Sequence, residues 1–283
     1  MKTVCIAGAS GFIGHNLVQR LLSEGYSVSL LSREDFRTGN VFVKIENVSI
    51  VVNLTGESIA GLWTKRKRKR IYDSRILTAR KLVKAINLDG NKVKLLIQVS
   101  GVGIYDHQHS HTDESEKYDE GFLSRVIKDW EGELTNIRKS NLRVVVLRLG
   151  IVLDRKGGIL KQIMFPLTMG IGFGVKSEEY FPFVQLEDLM NVFLFCIETQ
   201  KISGVVNVAA PVIVKINEFF RELSRIKNIG NIIWFSTGFI QLIMGESGSL
   251  LTSGQNVVPT KLRNEGFVFR YDNIEDALNR ACN

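Results

Sequence analysis

Three glycines near the start of the chain constrain the fold more than any other feature. The apolar run Thr3–Ala7 is followed by Gly8, Gly11 and Gly14. Gly11 directly precedes an amphipathic stretch, Phe12–Ser23, and Gly14 lies within its first turn. A strand, a glycine-rich turn and a helix in this order are typical of a dinucleotide-binding βαβ unit. The first glycine allows a tight turn, the second lets the backbone approach a diphosphate, and the third permits close contact between helix and sheet.

The same turn predicts which residues contact a dinucleotide. Backbone N–H groups at the start of a helix point towards a bound anion, and the helix dipole favours negative charge there. We therefore expect contacts from the residues of the turn, namely Gly8, Ser10, Gly11, Phe12, Ile13 and Gly14. A glycine-rich turn that binds no ligand is the alternative.

Apolar runs alternate with helical patterns along the first 150 residues. The sequence predicts strands at 3–7, 27–31, 41–45, 50–54, 94–99 and 144–149, and helices at 12–23, 64–88 and 121–139. Strands that alternate with helices predict right-handed βαβ units and a parallel sheet that is covered on both faces. The expected fold class is therefore α/β, a Rossmann-type doubly wound parallel sheet.

The character of the sequence changes after Gly150. Glycine-rich loops appear and the elements become shorter, with helices predicted at 186–198, 217–227 and 273–282 and a strand at 205–208. We expect residues 1–155 to form the dinucleotide-binding domain, with 185–210 returning to it. Residues 156–184 and 211–283 would form a smaller C-terminal α+β lobe.

Composition excludes several classes of protein. Hydrophobic residues make up 45% of the chain and charged residues 23%, which is typical of a globular protein. Cys5, Cys196 and Cys282 lie far apart, so neither a zinc module nor a disulfide framework is expected, and a cytoplasmic location is favoured. The start of the chain lacks the pattern of a secretory signal. The uncharged stretch Asn228–Gly245 is diluted by glycines and polar residues, which favours a strand followed by a short helix over a membrane span.

The net charge of +8 is local. Residues 65–70 are six consecutive basic residues, and without them the balance is 31 − 29 = +2. A solvated helix face explains such a run, and no stacking aromatic residues are interleaved, so we expect no nucleic acid partner.

Arg75 differs from the basic run, because helical spacing puts it on the same face as Ile71 and Thr78. A partly buried arginine needs a partner. A cofactor phosphate or ribose would serve; a protein carboxylate or solvent is the alternative.

The end of the second strand indicates which coenzyme binds. The strand ends in Leu31, Ser32 and Arg33, and the acidic residues Glu34 and Asp35 come only afterwards. A hydroxyl and a cation at this point favour the 2′-phosphate of NADP(H). Glu34 could instead turn towards the ribose and favour NAD(H).

A second segment follows a strand at the edge of the sheet where open α/β sheets bind ligands. The small residues of 53–57 would let the chain pass against a ribose, so we expect contacts from Leu54, Thr55 and Gly56. An ordinary strand-to-loop turn is the alternative.

These segments resemble the short-chain dehydrogenase/reductase superfamily in its extended, epimerase-like branch. The resemblance spans nearly the whole chain and rests on 8–14, 53–57, 74–75, 99–105, 147–153, 244–246, 254–255, 259 and 266–267. It is greatest to an atypical subgroup of the NAD-dependent epimerase/dehydratase family with a small C-terminal domain of unassigned role. The resemblance implies NADP(H) as cofactor, with contacts from Ser32, Arg33, Leu54, Thr55, Arg75 and Val152.

The chemistry of that superfamily normally uses a tyrosine four residues before a lysine. None of the six tyrosines in this chain has a lysine four residues later, and the helix expected to carry the pair has Leu123 and Ile127 at those positions. Ser100 is the candidate for the hydroxyl that binds the reacting oxygen, although the register also allows Gly101. Tyr105 is the candidate for a substitute proton donor.

Two further patterns were considered as sites. His107, His109 and His111 alternate, but their segment is very polar, so we expect a surface loop and no metal. Glu187 and Asp188 open a predicted helix, where capping is favoured over catalysis.

Two functions stay open at this point. The first is an NADP(H)-dependent oxidoreductase or epimerase acting on a small carbonyl or alcohol substrate. The second is a catalytically silent NADP(H)-binding sensor or regulatory protein, which a pocket filled by Phe122 or Leu123 would favour. We expect a small-molecule partner and neither nucleic acid nor membrane; the sequence leaves the substrate and the oligomeric state open.

Overall fold

The computed structural model describes residues 2–282, without the side chains of Phe165 and Thr168. The strands are β1 Thr3–Ala7, β2 Ser27–Leu31, β3 Ile50–Asn53, β4 Leu95–Gly101, β5 Ser110–His111, β6 Arg143–Leu149, β7 Ile151–Leu153, β8 Gly172–Lys176, β9 Phe183–Gln185, β10 Gly204–Val208, β11 Ile232–Ser236 and β12 Asn256–Val257. The helices are α1 Phe12–Ser23, α2 Arg33–Thr38, α3 Val41–Ile45, α4 Lys65–Ile86, α5 Phe122–Gly132, α6 Gly158–Thr168, α7 Leu186–Glu198, α8 Ile216–Ile226, α9 Thr237–Met244, α10 Ser249–Thr252, α11 Thr260–Asn264 and α12 Ile274–Cys282.

Six strands form one parallel sheet in the order β10-β6-β4-β3-β1-β2. Helices α1 and α7 contact each other, and α4 contacts both α3 and α5. One part of the apolar core lies between the first group and the sheet, and another part lies between the other group and the sheet. The two parts use side chains on opposite faces of the same strands, so the two groups of helices cover the two faces of the sheet. The predicted fold class, a Rossmann-type doubly wound sheet, is confirmed. β1 lies between β3 and the edge strand β2, so its carboxyl end is flanked by the carboxyl ends of those two strands.

The prediction of a strand at 41–45 is wrong, because these residues form α3. Val41 and Ile45 are buried, whereas Val43 is 64% exposed. A strand would put all three side chains on one face, but helical spacing separates Val43 from the other two. The predicted helix at 121–139 is also shorter: α5 ends at Gly132 and a 3-10 turn, Glu133–Asn136, follows.

The later part of the chain has a second apolar core. It is built from residues of β9, α6, α8 and α12 with strands β8 and β11 paired beside it. β10 lies at the edge of the main sheet and α7 packs on α1. The stretch 228–245 forms a strand followed by a short helix, β11 and α9, as predicted. Within residues 2–282, no helix is both long and apolar enough to cross a membrane.

The histidine segment is not simply a surface loop. Ser110 and His111 form the short strand β5, which pairs with β12, and the His111 side chain is fully buried. Its ring stacks on the ring of Tyr105 with centroids 4.4 Å apart. The segment is polar and would be expected at the surface, but it pairs with β12, which lies far away in the sequence, and His111 is buried as a result. His107 and His109 stay at or near the surface.

Candidate functional site

The turn between β1 and α1 leaves no room for side chains. Gly8 has a φ of +87°, and a Cβ atom there would lie 2.7 Å from the carbonyl oxygen of Leu54. A Cβ at Gly14 would lie 2.3 Å from the carbonyl oxygen of Gly8. The Gly11 N–H donates a hydrogen bond of 3.0 Å to that same oxygen. The turn therefore presents backbone at the start of α1, as a diphosphate site requires.

A later segment closes over this turn. The ring of Phe12 lies so close to Gly157 that a Cβ there would be 2.2 Å from a ring carbon. A Cβ at Gly158 would lie 3.0 Å from the carbonyl oxygen of Val152, which is half-buried in β7. The structure thus brings Val152 to the side of the glycine turn, although about 140 residues separate them in the sequence.

An arginine without an ion pair among the described residues, Arg33, lies at the end of β2. Ser32 caps α2: its hydroxyl donates to the Asp35 carboxylate at 2.6 Å and accepts the Asp35 N–H at 3.2 Å. The Ser32 hydroxyl and N–H lower the pKa of Asp35, so this carboxylate is occupied by the cap. Glu34 pairs with Arg37. Arg33 is exposed and forms no ion pair within the described residues.

The segment after β3 is fixed against the glycine turn by buried polar contacts. Asn53 is fully buried; its amide donates to Gln98 at 2.9 Å, and its side-chain oxygen accepts the Thr55 hydroxyl at 2.7 Å. The Leu54 N–H donates to the Ala7 carbonyl at 2.9 Å. The Thr55 hydroxyl also lies 2.8 Å from that of Thr78 on α4. The loop therefore has a defined position at the carboxyl edge of the sheet.

Arg75 is a largely enclosed cation that no carboxylate of the described residues neutralises. Its Nη1 atom donates to the carbonyl oxygens of Glu57 at 3.0 Å and Ile71 at 3.1 Å, and its guanidinium lies 5.3 Å from the ring centre of Trp130. A Cβ at Gly56 would lie 3.0 Å from this guanidinium. Desolvation lowers the pKa of Arg75 to about 10. A half-buried cation that is held by neutral carbonyls favours a nearby anion.

Taken together, these residues fit a phosphorylated dinucleotide. The turn provides bare backbone at a helix N-terminus, and Arg33 and Arg75 provide positive charge on neighbouring elements. The predicted contacts at Gly8–Gly14, Leu54–Gly56 and Val152 meet at one edge of the sheet.

The candidate catalytic residues belong to a hydrogen-bond network that the sequence did not reveal. The Ser100 hydroxyl donates to Glu131 of α5 at 2.5 Å. Arg148 donates to the same carboxylate at 3.0 and 2.6 Å and to the Tyr105 hydroxyl at 2.8 Å. The Tyr105 hydroxyl donates to Asn207 of β10 at 2.8 Å. One signal was available: Arg148 interrupts an otherwise apolar strand, and a buried arginine needs a carboxylate partner.

This network also holds Tyr105, the candidate proton donor. The side chain is fully buried between His111 and Arg148, and desolvation raises its pKa despite the opposing effect of Arg148. Its hydroxyl is enclosed by contacts with Arg148, Asn207 and the Thr112 carbonyl, and its predicted role as a proton donor stays a prediction. Ser100 is also buried, with 5% of its surface exposed, but it lies at the carboxyl end of β4. Its predicted catalytic role stays a prediction.

Apolar side chains occupy the positions of the missing tyrosine and lysine. Ile127 is buried and lies 3.7 Å from where a Cβ at Gly101 would be. Leu123 packs in a cluster with Trp63, and the Phe122 ring contacts the Trp63 ring edge-on at 5.4 Å. Lys128 does not substitute for the missing lysine, because its ammonium donates to the backbone carbonyl of Asp119 at 3.1 Å.

The acidic pair at the start of α7 has a structural role. Asp188 is fully buried, and its carboxylate accepts the N–H groups of Arg270 at 3.0 Å and Tyr271 at 2.9 Å. Glu187 pairs with Arg270 and Arg280. The predicted capping role is wrong in detail, because Gln185 is the residue whose side chain caps the helix. Within residues 2–282, no three histidine, cysteine, aspartate or glutamate side chains are grouped so as to hold a metal ion.

Comparisons with known proteins agree with this geometry. The model of the NAD dependent epimerase/dehydratase family matches residues 4–126, and a domain of unknown function, DUF1731, matches residues 237–281. The chain is 29% identical to epimerase family protein YfhF of Bacillus subtilis over 98% of this chain and 97% of that one. It is 27% identical to a chloroplastic SDR39U1 homolog of Arabidopsis thaliana, over 98% and 85%.

Among solved structures, the human epimerase family protein SDR39U1 superimposes with a TM-score of 0.90. The two chains are 26% identical, and the match covers 99% of this chain and 98% of the human one, whose crystal structure contains NADPH. The glycine turn, the six-stranded sheet and these matches make the chain similar to the NAD dependent epimerase/dehydratase family over residues 4–126 and to DUF1731 over residues 237–281.

Proposed function

We propose that this chain binds NADP(H) and uses it as an oxidoreductase or epimerase on a small carbonyl or alcohol substrate. The observation that carries the proposal is the glycine turn. A Cβ atom at Gly14 would lie 2.3 Å from a backbone atom of the turn, so no side chain fits there. The NADPH in the human relative supports the same coenzyme for this chain. When bound, the nicotinamide supplies or accepts a hydride.

Each residue of the site has a distinct part in binding. The N–H groups from Gly8 to Gly14 would hold the diphosphate. Arg33 would pair with the 2′-phosphate, since Glu34 and Asp35 are already engaged with Arg37 and Ser32. Arg75 would stabilise negative charge beside the loop that follows β3. Ser10, Phe12, Ile13, Ser32, Leu54, Thr55, Gly56 and Val152 complete the predicted set of contacts.

Proton transfer would depend on Ser100 and not on a Tyr-Lys pair. The Ser100 hydroxyl is hydrogen-bonded to Glu131, and Arg148 holds that carboxylate through two hydrogen bonds. A serine in this arrangement can pass the proton of an alcohol to the carboxylate as the hydride leaves, or orient the oxygen of a carbonyl.

A silent sensor is the second candidate, and one observation favours it. Phe122 and Leu123 pack against Trp63 where an open substrate pocket would need space. Such a protein would bind the coenzyme and change its affinity for a partner without turnover.

A turnover assay separates the two functions. The chain is incubated with NADPH and a panel of aldehydes and ketones, and the loss of nicotinamide absorbance is followed. An enzyme gives turnover with at least one compound, and Ser100→Ala lowers its kcat by about 10²–10⁴-fold. Saturable NADPH binding without turnover across the panel would favour the sensor.

The cytoplasmic location stays a prediction, since one relative is chloroplastic.

A further inference from the structure

One outer face of the C-terminal region exposes apolar side chains that its core does not use. Ile233 and Phe235 point to the same side of β11, and the Phe235 ring stacks on that of Phe239 in α9 at 5.2 Å. Leu242 and Ile243, also on α9, are 82% and 59% exposed. We call these five residues the apolar strip.

The apolar strip is distinct from the side of α9 that packs inward. Ile240 contacts the second core, but no residue of the eight in α9 is fully buried. Scattered exposed apolar residues are ordinary in folded proteins, whereas a contiguous set usually marks a surface that something covers.

The basic run of α4 adjoins the end of this strip. Glu246, two residues after the last residue of α9, accepts a hydrogen bond of 2.5 Å from Arg68 and one of 3.2 Å from the Phe122 N–H. Lys65 and Arg66 precede Arg68 by less than one helical turn. Both are exposed, and neither forms an ion pair within the described residues. Free cations therefore lie beside exposed apolar side chains.

We infer that this edge binds the surface of a membrane that contains anionic phospholipids. Apolar side chains enter the boundary between headgroups and acyl chains, while neighbouring lysines and arginines attract anionic headgroups. This association needs no spanning segment, but it departs from the expectation, drawn from the sequence, that the chain has no membrane partner. It is also independent of the proposed coenzyme function.

Two observations favour a membrane over a second copy of the chain. Five partly exposed side chains offer at most a few hundred Å², whereas a stable dimer buries roughly 800 Å² on each partner. The basic run would also be repelled by an identical positive surface on a second copy, whereas an anionic membrane surface would attract it.

The test is co-sedimentation of the full chain with phosphatidylcholine vesicles, with and without phosphatidylserine. We expect binding only to the vesicles with phosphatidylserine, and loss of binding as salt is raised. Leu242→Asp should reduce binding on the order of tenfold, because it removes apolar insertion. Lys65→Glu and Arg66→Glu should each reduce it by about fivefold or more. All three side chains are exposed, so unchanged circular dichroism and NADPH affinity would show that the fold is intact.

Matched controls come from elsewhere on the surface. Val268 is 83% exposed, but its neighbours Phe267 and Phe269 pack in the core beneath α1 and α7, on the other side of the sheet from α4. Val268→Asp and Lys201→Glu should therefore leave binding unchanged.

Four results would overturn the inference. The first is equal binding to both kinds of vesicle, and the second is binding of Leu242→Asp as tight as that of the unmodified chain. The third is a dimer, seen by light scattering, that Leu242→Asp dissociates. The fourth is displacement of the chain from vesicles by a short DNA duplex, together with no effect of Leu242→Asp on vesicle binding. The last two would assign the strip to a second copy and the basic run to nucleic acid.

Discussion

At the scale of single residues, the account depends on which side chains meet the coenzyme and which only hold the site. In the proposed function, the Arg33 side chain belongs to the first group, together with the bare backbone of the glycine turn. Asp35 and Asn53 belong to the second, because their polar atoms are engaged with the protein itself. Substitutions should separate these two groups.

Replacing Arg33 by alanine tests the preference for NADP(H). Losing one charge-assisted contact costs about 1.5–3 kcal/mol, so the Kd for NADPH should rise roughly tenfold to a hundredfold, while that for NADH changes little. Fluorescence titration of both coenzymes measures the two values. Arg263→Ala is the control, since Arg263 is exposed on α11, which contacts β10 at the opposite end of the sheet from β2. Equal losses for NADPH and NADH would remove Arg33 from the 2′-phosphate site.

Replacing Gly14 by alanine tests the close approach of backbone in the glycine turn. The new methyl group would lie 2.3 Å from the Gly8 carbonyl oxygen, so the turn must shift. We expect a loss of about 1–3 kcal/mol in the free energy of unfolding and a loss of coenzyme binding.

Gly132→Ala provides the comparison for this substitution. No atom lies within 4 Å of a Cβ at Gly132, which is the last residue of α5. It should leave both coenzyme affinity and stability intact or slightly raise stability. If Gly14→Ala binds NADPH as tightly as Gly132→Ala does, the turn does not hold the diphosphate.

At the scale of elements, the Glu131–Arg148 pair joins α5 to β6. The two side chains are 14% and 4% exposed. Glu131→Gln leaves the guanidinium buried without a neutralising charge, and we expect a loss of about 3–5 kcal/mol in urea unfolding. Glu133→Gln is the control, because its partner Arg80 is half exposed and such pairs contribute about 0–1 kcal/mol. Similar losses for the two variants would contradict the structural role assigned to Glu131.

Elements that are long or strongly patterned could be predicted from the sequence. β1, α1, β2 and the strand–helix order of 228–245 agree with the structure. The run 41–45 could not be assigned, because five apolar-rich residues suit a strand or a helix equally and packing on α4 decides. The burial of Tyr105 and His111 could not be predicted for a related reason: β12 and Asn207, which enclose them, lie about 100 or more residues away.

At the scale of the whole molecule, acid should weaken the fold through paired carboxylates. Desolvation alone would raise the pKa of Asp106, but hydrogen bonds from the His109 side chain and the N–H groups of Gln108 and His109 outweigh it and lower the pKa from 3.8 to about 2. A lowered pKa in the folded state gives stability that is complete above the unfolded value and is lost as the pH falls from about 4 towards 2.

Urea unfolding at a series of pH values measures this effect. Asp106→Asn should be less stable than the unmodified chain at pH 6, and the difference should shrink below pH 4. A difference that stays constant down to pH 2 would show that the carboxylate charge of Asp106 is not involved.

The central claim is that the chain holds a dinucleotide with a 2′-phosphate at the edge of its sheet. The most direct measurement is the titration of purified chain with NADPH and with NADH, followed by tryptophan fluorescence, because Trp130 lies against Arg75 at the expected site. The account predicts saturable binding of both, with NADPH the tighter. Absence of binding to either coenzyme, or tighter binding of NADH, would contradict it.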